Sequence, residues 1–558
     1  MKRLQTAVIS ALLAAPLLVS AGGATAAPPG PGWRSSVSFS NVVASSPTTG
    51  GGYPVPPGAR VPAAGTCREG PFNANHSESW LAVKPGTEDL VGAAKYFFDK
   101  YSTFYMFYIG AIQMPGGAPS GNNQVQGYDC LSTGTQDMPP SWTDTTDPNA
   151  DFDTQGRVYQ TMLPFNSYFD ASRLHPDGEI DLSYSDDLGR HWVKGNGGRP
   201  LEPPNNASAL QLGHVEDKQW VAVNHIVGNR FQDHVYAAWA VFNGQTIKVR
   251  IAVSRDRGQT FDKALTISAP SQVGAGATYV YPEIDAAGTL YVSVVSFPPN
   301  GDASTIYVAR STDDGRSFSA FVPITTVTLP PGEVYPNTRF RSGIAANLAA
   351  SPTYAGHLYL TYEDWDAAAG QADVKMTQST DGGATWTSPV LVNDNSDAGV
   401  RTDQFQPTVA AGPGGAVAVA FHDRRQACPK DPSVLPADVG RENFCIDTSL
   451  QAYKDSGSGA VAVGGNVRVS KDTWDPEQPA QHLGGLSQYP CAGATDPCQR
   501  GSGFIGDYFG LAISAKNIYT LSASTHYPSG VTADEGGRIY YQQQVLATVP
   551  RSGFGSGY

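Results

Sequence analysis

The sequence has little charge, and most of that charge is of one sign. Charged residues make up 16% of the 558 residues, and the formal net charge is −13. A chain with an excess of acids is poorly suited to bind nucleic acid or an anionic membrane surface through charge alone. We therefore expect neither kind of partner.

Long hydrophobic runs are also missing, apart from one at the start of the chain. The basic residues Lys2 and Arg3 precede an apolar run over 7–19, and Ala24-Thr25-Ala26 forms a small-x-small cleavage site before Ala27. This pattern predicts a secretory signal peptide over residues 1–26. The run is too short to span a bilayer, and no later segment is long enough. We expect a secreted, extracellular, monomeric protein whose net charge becomes −15 when Lys2 and Arg3 are removed.

Cysteine is scarce, and its spacing argues against a zinc site. None of the six cysteines forms a C-x-x-C pair. In an exported protein they predict three disulfides, for which fifteen pairings exist. Closeness in the chain favours Cys491 with Cys498 and Cys428 with Cys445, which leaves Cys67 for Cys130.

Helix-length amphipathic periods are hard to find after the signal segment, whereas turn residues are abundant. The chain has 61 Gly and 42 Pro, which punctuate many short segments and favour an all-β protein. Four of the turns share one phrase of eight residues, which we call the octapeptide turns. They are SDDLGRHW from Ser185, SRDRGQTF from Ser254, STDDGRSF from Ser311 and STDGGATW from Ser379.

The octapeptide turns follow the pattern Ser-x-Asp-x-Gly-x-Thr/Ser-Phe/Trp, with His191 replacing the hydroxyl in the first copy. The aspartate can accept hydrogen bonds from amides of its own turn, and the glycine permits positive φ. The pattern resembles the Asp-box, or bacterial neuraminidase repeat, of sialidase-like β-propellers. That resemblance implies a structural turn between the outer strands of a blade, away from the active site.

Alignment of the chain on these turns reveals a longer repeat, which predicts a single all-β domain: a β-propeller of four-stranded antiparallel blades over 76–546. Seven blades are favoured, with six as the alternative. Residues 27–75 form a Pro/Gly/Ser-rich lead-in whose segment from Ser36 is expected to close the ring. An insertion is expected over about 426–500, and 547–558 form a tail. The seven predicted inner strands begin at Glu78, Asp147, Lys218, Tyr281, Arg341, Gln406 and Tyr508.

Every one of these starting residues is polar or a phenol, so the predicted mouth of the central channel is the first candidate site. The ends of the second strands add Glu363 and the cluster His422-Asp423-Arg424-Arg425. Paired arginines can clamp a carboxylate, with Asp423 orienting them. The alternative is an ion-pair network that fixes the insertion beginning at Cys428.

The resemblance to sialidase-like enzymes also implies chemistry. In that family three arginines hold the substrate carboxylate, a tyrosine activated by a glutamate attacks the anomeric carbon, and an aspartate is the acid. Residues of the right types are Arg341, Arg424, Arg425, Tyr281, Tyr508, Glu78, Glu363, Asp147 and Asp507. The first repeat lacks the family's Phe/Tyr-Arg-Ile-Pro motif, and the nearest phrase, Arg339-Phe-Arg-Ser-Gly, falls in the fifth repeat.

The sequence thus favours a glycoside hydrolase, exo-sialidase-like, that acts on a glycan or polysaccharide. The alternatives are a propeller that binds carbohydrate or protein without turnover and, third, a polysaccharide lyase. We expect no cofactor. Two oxygen-rich stretches, 393–399 and 144–147, could hold calcium, but both lack the distal acid of a full ligand loop.

Overall fold

The protein is a seven-bladed β-propeller, and the residues that the structure describes contain almost no helix. The computed structural model describes residues 33, 35–47, 75–97, 107–125, 144–165, 178–203, 215–243, 246–268, 277–296, 303–336, 338–342, 346–395, 402–426, 445–476, 503–531 and 539–558. The predicted signal peptide and five of the six cysteines lie outside these residues. Cys445 is disulfide-bonded, and its partner also lies outside them.

Each blade is an antiparallel sheet numbered outward from the central channel. Blade 1 contains β2 (His76–Val83), β3 (Leu90–Phe97), β4 (Phe107–Met114) and β5 (Gly121–Gln124). Blade 2 has an inner strand in two pieces, β6 (Asp144–Thr146) and β7 (Asp151–Phe152), followed by β8 (Val158–Phe165), β9 (Asp181–Ser185) and β10 (Val193–Lys194). Blade 3 contains β11 (Val215–Val223), β12 (Val235–Asn243), β13 (Thr246–Ser254) and β14 (Leu265–Thr266).

The second half of the ring repeats the plan. Blade 4 contains β15 (Ala277–Ile284), β16 (Leu290–Ser296), β17 (Ala303–Ser311) and β18 (Val322–Thr328). Blade 5 contains β19 (Ala346–Ala350), β20 (Leu358–Asp366), β21 (Gln371–Ser379) and β22 (Val390–Leu391). Blade 6 contains β23 (Gln404–Gly412), β24 (Ala416–Asp423), β25 (Asp447–Asp455) and β26 (Ala460–Arg468). Blade 7 contains β27 (Gly510–Ile513), β28 (Asn517–Ser524), β29 (Gln543–Pro550) and β1 (Ser40–Ser45). Short 3-10 turns occur at Pro115–Gly117, Asn196–Gly198, Pro331–Glu333, Pro413–Gly415 and Arg551–Phe554.

The second strand of a blade is buried on both faces because each face packs against a neighbouring blade. All residues of β3, β8, β16 and β24 are buried. A tyrosine recurs in this strand, and its phenol donates to an acid, as Tyr236 does to the buried Asp314 at 2.8 Å and Tyr519 to the half-buried Glu88 at 2.6 Å. Stacking of the blades therefore builds the core, as expected for units that cannot bury their own faces.

The octapeptide turns join the third and fourth strands of blades 2 to 5. In the turn that begins at Ser379, the Ser379 hydroxyl accepts from the Gly383 amide at 2.9 Å, and the Asp381 carboxylate accepts from the Thr385 amide at 2.9 Å. Gly383 has φ +79°, a conformation that favours glycine. Side chains of the turn thus accept hydrogen bonds from backbone amides of the same turn. The turn therefore needs these residue types, which explains why its sequence is so constant.

The ring is closed by a strand from the start of the chain. β1 pairs antiparallel with β29, so blade 7 combines the two ends of the described chain. Just before β1, Trp33 is buried, and its indole N–H donates to the Ser449 hydroxyl at 2.8 Å. The guanidinium carbons of Arg425 and Arg468 lie 5.0 and 5.5 Å from the Trp33 ring centroid. Trp33 thereby fastens the closing segment to blade 6.

Candidate functional site

Four of the seven inner strands have a β-bulge near the start of the strand, where they enter the channel. Ladder pairing shifts between Ser77 and Ser79, between Asp217 and Trp220, between Thr278 and Tyr281, and between Phe405 and Thr408. The residues with left-handed backbone at these bulges, and at the matching break in blade 2, are Glu78 (φ 43°), Asp147 (φ 62°), Lys218 (φ 51°), Tyr279 (φ 52°) and Gln406 (φ 46°). This conformation costs a non-glycine residue about 1–2 kcal/mol, so its recurrence in five blades marks a fixed arrangement of side chains.

One residue that the sequence predicts as the start of an inner strand, Tyr281, does not lie at the bulge of its strand. Glu78, Lys218 and Tyr279 each lie five residues before the last paired residue of their strand, which is Val83, Val223 or Ile284. Tyr281 therefore lies two residues farther along its strand than the sequence alignment predicts. A shift of two residues preserves the alternation of faces in a strand, so the apolar pattern alone could not detect it.

Charged residues from separate blades meet across the ring. Lys95 on β3 pairs with Glu78 at 2.7 Å and lies 3.8 Å from Asp147 of blade 2. Lys218 of blade 3 lies 4.0 Å from the same Asp147 and 2.8 Å from Asp507, which precedes β27. We call the following residues the channel network: Glu78, Lys95, Asp147, Asp217, Lys218, Arg341 and Asp507.

Arg341 is the most accessible cation of the channel network, with a side chain 37% exposed. Its Nε and one terminal nitrogen donate to the two oxygens of Asp507, at 3.1 and 2.9 Å. The Asp507 amide in turn donates to Glu78 at 3.1 Å. Asp507 is thus held by groups from blades 1, 3 and 5.

The carboxyl groups of the network differ in protonation. Burial raises the pKa of Asp217 to about 7, and the neighbouring Asp147 adds to the shift. The Lys218 amide donates to both acids, at 2.9 Å to Asp217 and 3.0 Å to Asp147, so the two carboxyl groups are adjacent. Burial also opposes ionisation of Asp507, yet Arg341 and Lys218 together hold its pKa well below the usual range. A protonated carboxyl therefore lies near an ionised one.

A layer of aromatic rings accompanies the channel network. The Trp220 ring centroid lies 4.6 Å from that of Trp80, 4.7 Å from Tyr281 and 5.0 Å from Tyr508. Burial raises the pKa of both phenols, and Tyr508 donates to the Pro148 carbonyl at 3.1 Å. Tyr281 and Tyr508, two nucleophile candidates predicted from the sequence, are therefore neutral, packed phenols.

Glu363 makes a contact that the sequence did not predict. Its carboxylate accepts from the Tyr335 phenol at 2.5 Å and from the Gln406 amide at 2.7 Å. Burial raises the pKa of Glu363 to about 7, against the effect of these donors. Ser342, the neighbour of Arg341, donates to the Tyr335 oxygen at 3.2 Å. The structure thus brings a Tyr–Glu pair next to Arg341, but Tyr335 is completely buried.

The remaining arginine candidates lie in separate ion pairs. Arg424 is completely buried and contacts Asp403 at 2.8 Å. Arg425 contacts Asp423 at 2.8 Å and Asp394 at 2.6 Å, beneath Trp33. Arg341, Arg424 and Arg425 therefore have different acidic partners. The contacts of Arg425 match the alternative in which this cluster is an ion-pair network. The segment that Arg425 contacts is the ring-closing one around Trp33, whereas the sequence analysis expected the insertion that begins at Cys428.

Metal-binding clusters of three or more His, Cys, Asp or Glu residues are absent from the part of the chain that the structure describes. In the first oxygen-rich stretch, the Asn393 amide nitrogen donates to Asp373 at 2.9 Å and to Asn395 at 2.6 Å. Positions 396–399 lie outside the described residues. Calcium binding stays a prediction. The described residues also include no helix long and apolar enough to cross a membrane.

The sequence did not predict three residues of the site: Asp217, Lys95 and Tyr335. Asp217 is adjacent to the predicted Lys218, so a search one residue to each side of the starting positions would have found it. Lys95 lies on a second strand and is paired with Ser77, and only strand pairing brings it to the channel. Tyr335 lies before β19, where no repeat pattern is present.

Comparisons with known proteins found no matching family model and no matching curated sequence. Similar solved structures include a Hadza microbial sialidase (15% identity, TM-score 0.40, covering 62% of this chain and 63% of that chain). A leech intramolecular trans-sialidase has 11% identity and a TM-score of 0.39, covering 62% of this chain and 65% of that one. An α-L-arabinanase from Penicillium chrysogenum has 13% identity and a TM-score of 0.36, covering 73% and 94%. The chain thus spans less than two thirds of both sialidases, and its propeller assignment rests on its own seven sheets.

Proposed function

We propose that this protein is a secreted glycoside hydrolase that cleaves glycans at the entrance of the propeller channel. The observation that carries the proposal is that two carboxyl groups of the channel network differ in protonation. Asp217 has a pKa of about 7, whereas Arg341 and Lys218 hold the pKa of Asp507 low. Carboxyl groups whose environments push their pKa values apart are the acid and the anion that glycosidic cleavage needs.

The roles follow from the protonation states. Asp217 donates its proton to the glycosidic oxygen as the bond to the anomeric carbon breaks. The fixed negative charge of Asp507 stabilises the positive charge that develops on the sugar ring. A water molecule then adds to the anomeric carbon and returns one proton to Asp217, which restores the acid.

Contacts of Lys218 link the proposed acid to the proposed anion. Asp217 and Asp147 accept from the Lys218 amide at 2.9 and 3.0 Å, and the Lys218 ammonium group lies 4.0 Å from Asp147 and 2.8 Å from Asp507. Asp147 and Asp507 are therefore no farther apart than glycosidase carboxyl groups are, roughly 5 to 9.5 Å, and Asp217 lies beside Asp147. The octapeptide turns favour the same class of enzyme through their resemblance to Asp-boxes, and the charges of the channel decide which sugar is bound.

The runner-up is a propeller that binds glycans without turnover. It is favoured by the pairing within the network, because Lys95, Lys218 and Arg341 each contact a carboxylate. Such a network can be stable without a reacting substrate. Hydrolysis by the wild-type protein, measured with a panel of aryl glycosides, separates the two functions.

The role of Asp217 is tested by Asp217→Asn with two leaving groups on the preferred sugar. With methanol as the leaving group, which needs protonation, we expect kcat to fall by about 10²–10⁴-fold. With 2,4-dinitrophenol, which leaves without a proton, the loss should be below about tenfold. The matched control is Asp181→Asn, which removes another buried acid, with a pKa raised to about 8, outside the channel network. Equal losses with both leaving groups would remove Asp217 from the role of acid.

A further inference from the structure

We infer that the sugar residue bound in the channel is uncharged. This inference rests on the proposed function, since it concerns the substrate of the same site. It starts from the charges that the channel network presents: the carboxylates of Glu78, Asp147 and Asp507 equal in number the three cations Lys95, Lys218 and Arg341, and Asp217 holds the proton of the proposed acid. The network has no surplus cation for an anionic substrate.

Arg341 shows the point most directly. Among the network cations it is the one with substantial exposure, 37% of its side chain, and therefore the one a substrate carboxylate would approach. Its planar donor fork is already matched by Asp507, through Nε at 3.1 Å and a terminal nitrogen at 2.9 Å. A bidentate pair of this kind fills the geometry that a substrate carboxylate would use. A sugar acid would therefore encounter the negative charge of Asp507 beside the cation.

The two lysines are no more available. The Lys95 and Lys218 side chains are 4% and 10% exposed. Lys95 contacts Glu78 at 2.7 Å, and Lys218 contacts Asp507 at 2.8 Å. Recruitment of either ammonium group by a ligand would leave a buried carboxylate without its partner, which is costly.

The accessible surface beside these ion pairs is aromatic. Trp80 and Tyr279 are half-buried and pack against the Trp220, Tyr281 and Tyr508 layer. The Lys218 ammonium lies 5.2 Å from the Tyr279 ring centroid. Flat aromatic faces suit the apolar C–H face of a sugar, and hydroxyl groups can hydrogen-bond to carboxylates without adding charge. An uncharged sugar satisfies both features.

The test is isothermal titration of the full-length protein with sugars that differ in one charge. The probes are the methyl glycosides of glucose and galactose, the methyl glycosides of the matching uronic acids, and N-acetylneuraminic acid. We expect at least one neutral glycoside to bind and its uronic acid counterpart to bind at least tenfold more weakly. Tighter binding of a uronide or of N-acetylneuraminic acid would overturn the inference, as would no binding of any probe.

Asp507→Asn gives a second test, because it removes the carboxylate charge that is paired with the Arg341 guanidinium group. We expect the variant to bind uronides relatively better, reducing the difference between the two probe classes by at least threefold. The matched control is Asp186→Asn, which breaks a bidentate pair with Arg157 at 2.8 and 2.7 Å outside the channel. That control should leave the difference unchanged.

Hydrolysis of the corresponding aryl glycosides is measured separately. Neutral sugars that bind but are not cleaved would remove the proposed hydrolase function and leave the charge inference intact. Cleavage restricted to uronides or sialosides would keep the hydrolase function and overturn the charge inference. The wild-type measurements decide both questions even if Asp507→Asn does not fold.

Discussion

Replacement of Trp33 by alanine tests how the ring is closed and what Arg425 does. Trp33 is 5% exposed, donates to Ser449 at 2.8 Å, and lies against the guanidinium groups of Arg425 and Arg468. Truncation of a buried aromatic residue of this size costs about 3–5 kcal/mol. Each cation–π contact contributes roughly 0.5–2 kcal/mol of such a loss.

The assay is urea denaturation followed by far-ultraviolet circular dichroism, with Trp33→Phe as the matched control. Phenylalanine keeps a ring for the two arginines and loses the hydrogen bond to Ser449, so its cost should be about 1 kcal/mol. We also expect proteolysis within residues 35–47 to be faster in Trp33→Ala than in the control, because β1 is held beside this contact. Activity of the folded fraction should be unchanged.

Two results would refute this reasoning. An unfolding midpoint of Trp33→Ala equal to that of wild type would show that Trp33 does not stabilise the closed ring. A folded Trp33→Ala protein with a large increase in KM would instead support the predicted role of Arg425 as a carboxylate clamp. The two outcomes are measured independently.

Three further predictions concern other parts of the propeller. Asp381→Ala should lower the free energy of unfolding, measured by urea denaturation, by about 1–3 kcal/mol. The Thr385 amide and hydroxyl donate to the Asp381 carboxylate at 2.9 and 2.5 Å, and the substitution removes this acceptor. An unchanged unfolding midpoint would contradict the prediction. Burial raises the pKa of Asp181 to about 8, so the folded protein binds this proton more tightly than the unfolded chain, whose pKa is about 4. Stability should therefore fall as pH rises from about 4 to about 8, and Asp181→Asn should flatten that part of a melting-temperature profile; identical slopes would disprove the assignment. Tyr335→Phe removes the phenol 2.5 Å from Glu363 and should lower the melting temperature with kcat unchanged, whereas lost turnover in a folded variant would make the phenol catalytic.

Much of the fold could be predicted because its signals are local. An octapeptide turn is stabilised by bonds within five residues, such as Ser379 to Gly383, so its sequence remains recognisable in four copies. The seven-bladed ring follows from the number of repeats, since each blade buries its faces only against its neighbours. The tyrosines that recur in the second strands are buried and pack against the neighbouring blades.

The site was predicted in part. The position where inner strands enter the channel led to Glu78, Asp147 and Lys218, and the family resemblance added Asp507. The structure links these four residues by ion pairs, whereas the role of each remains a prediction. Tyr281 was aligned two residues out of register because strand patterns repeat every two residues. The distribution of protons between Asp217 and Asp507 could not be predicted, since it depends on burial and on cations from other blades.

The sequence by itself therefore determined that this chain is a propeller, because turn chemistry and strand period are short-range properties. Only the tertiary structure decided which charges meet. Lys218 of blade 3 and Arg341 of blade 5 both reach Asp507, although they lie 289 and 166 residues away from it along the chain. Closure of the ring brings these groups together. The chemistry of the channel is thus a property of all the blades and of no single repeat.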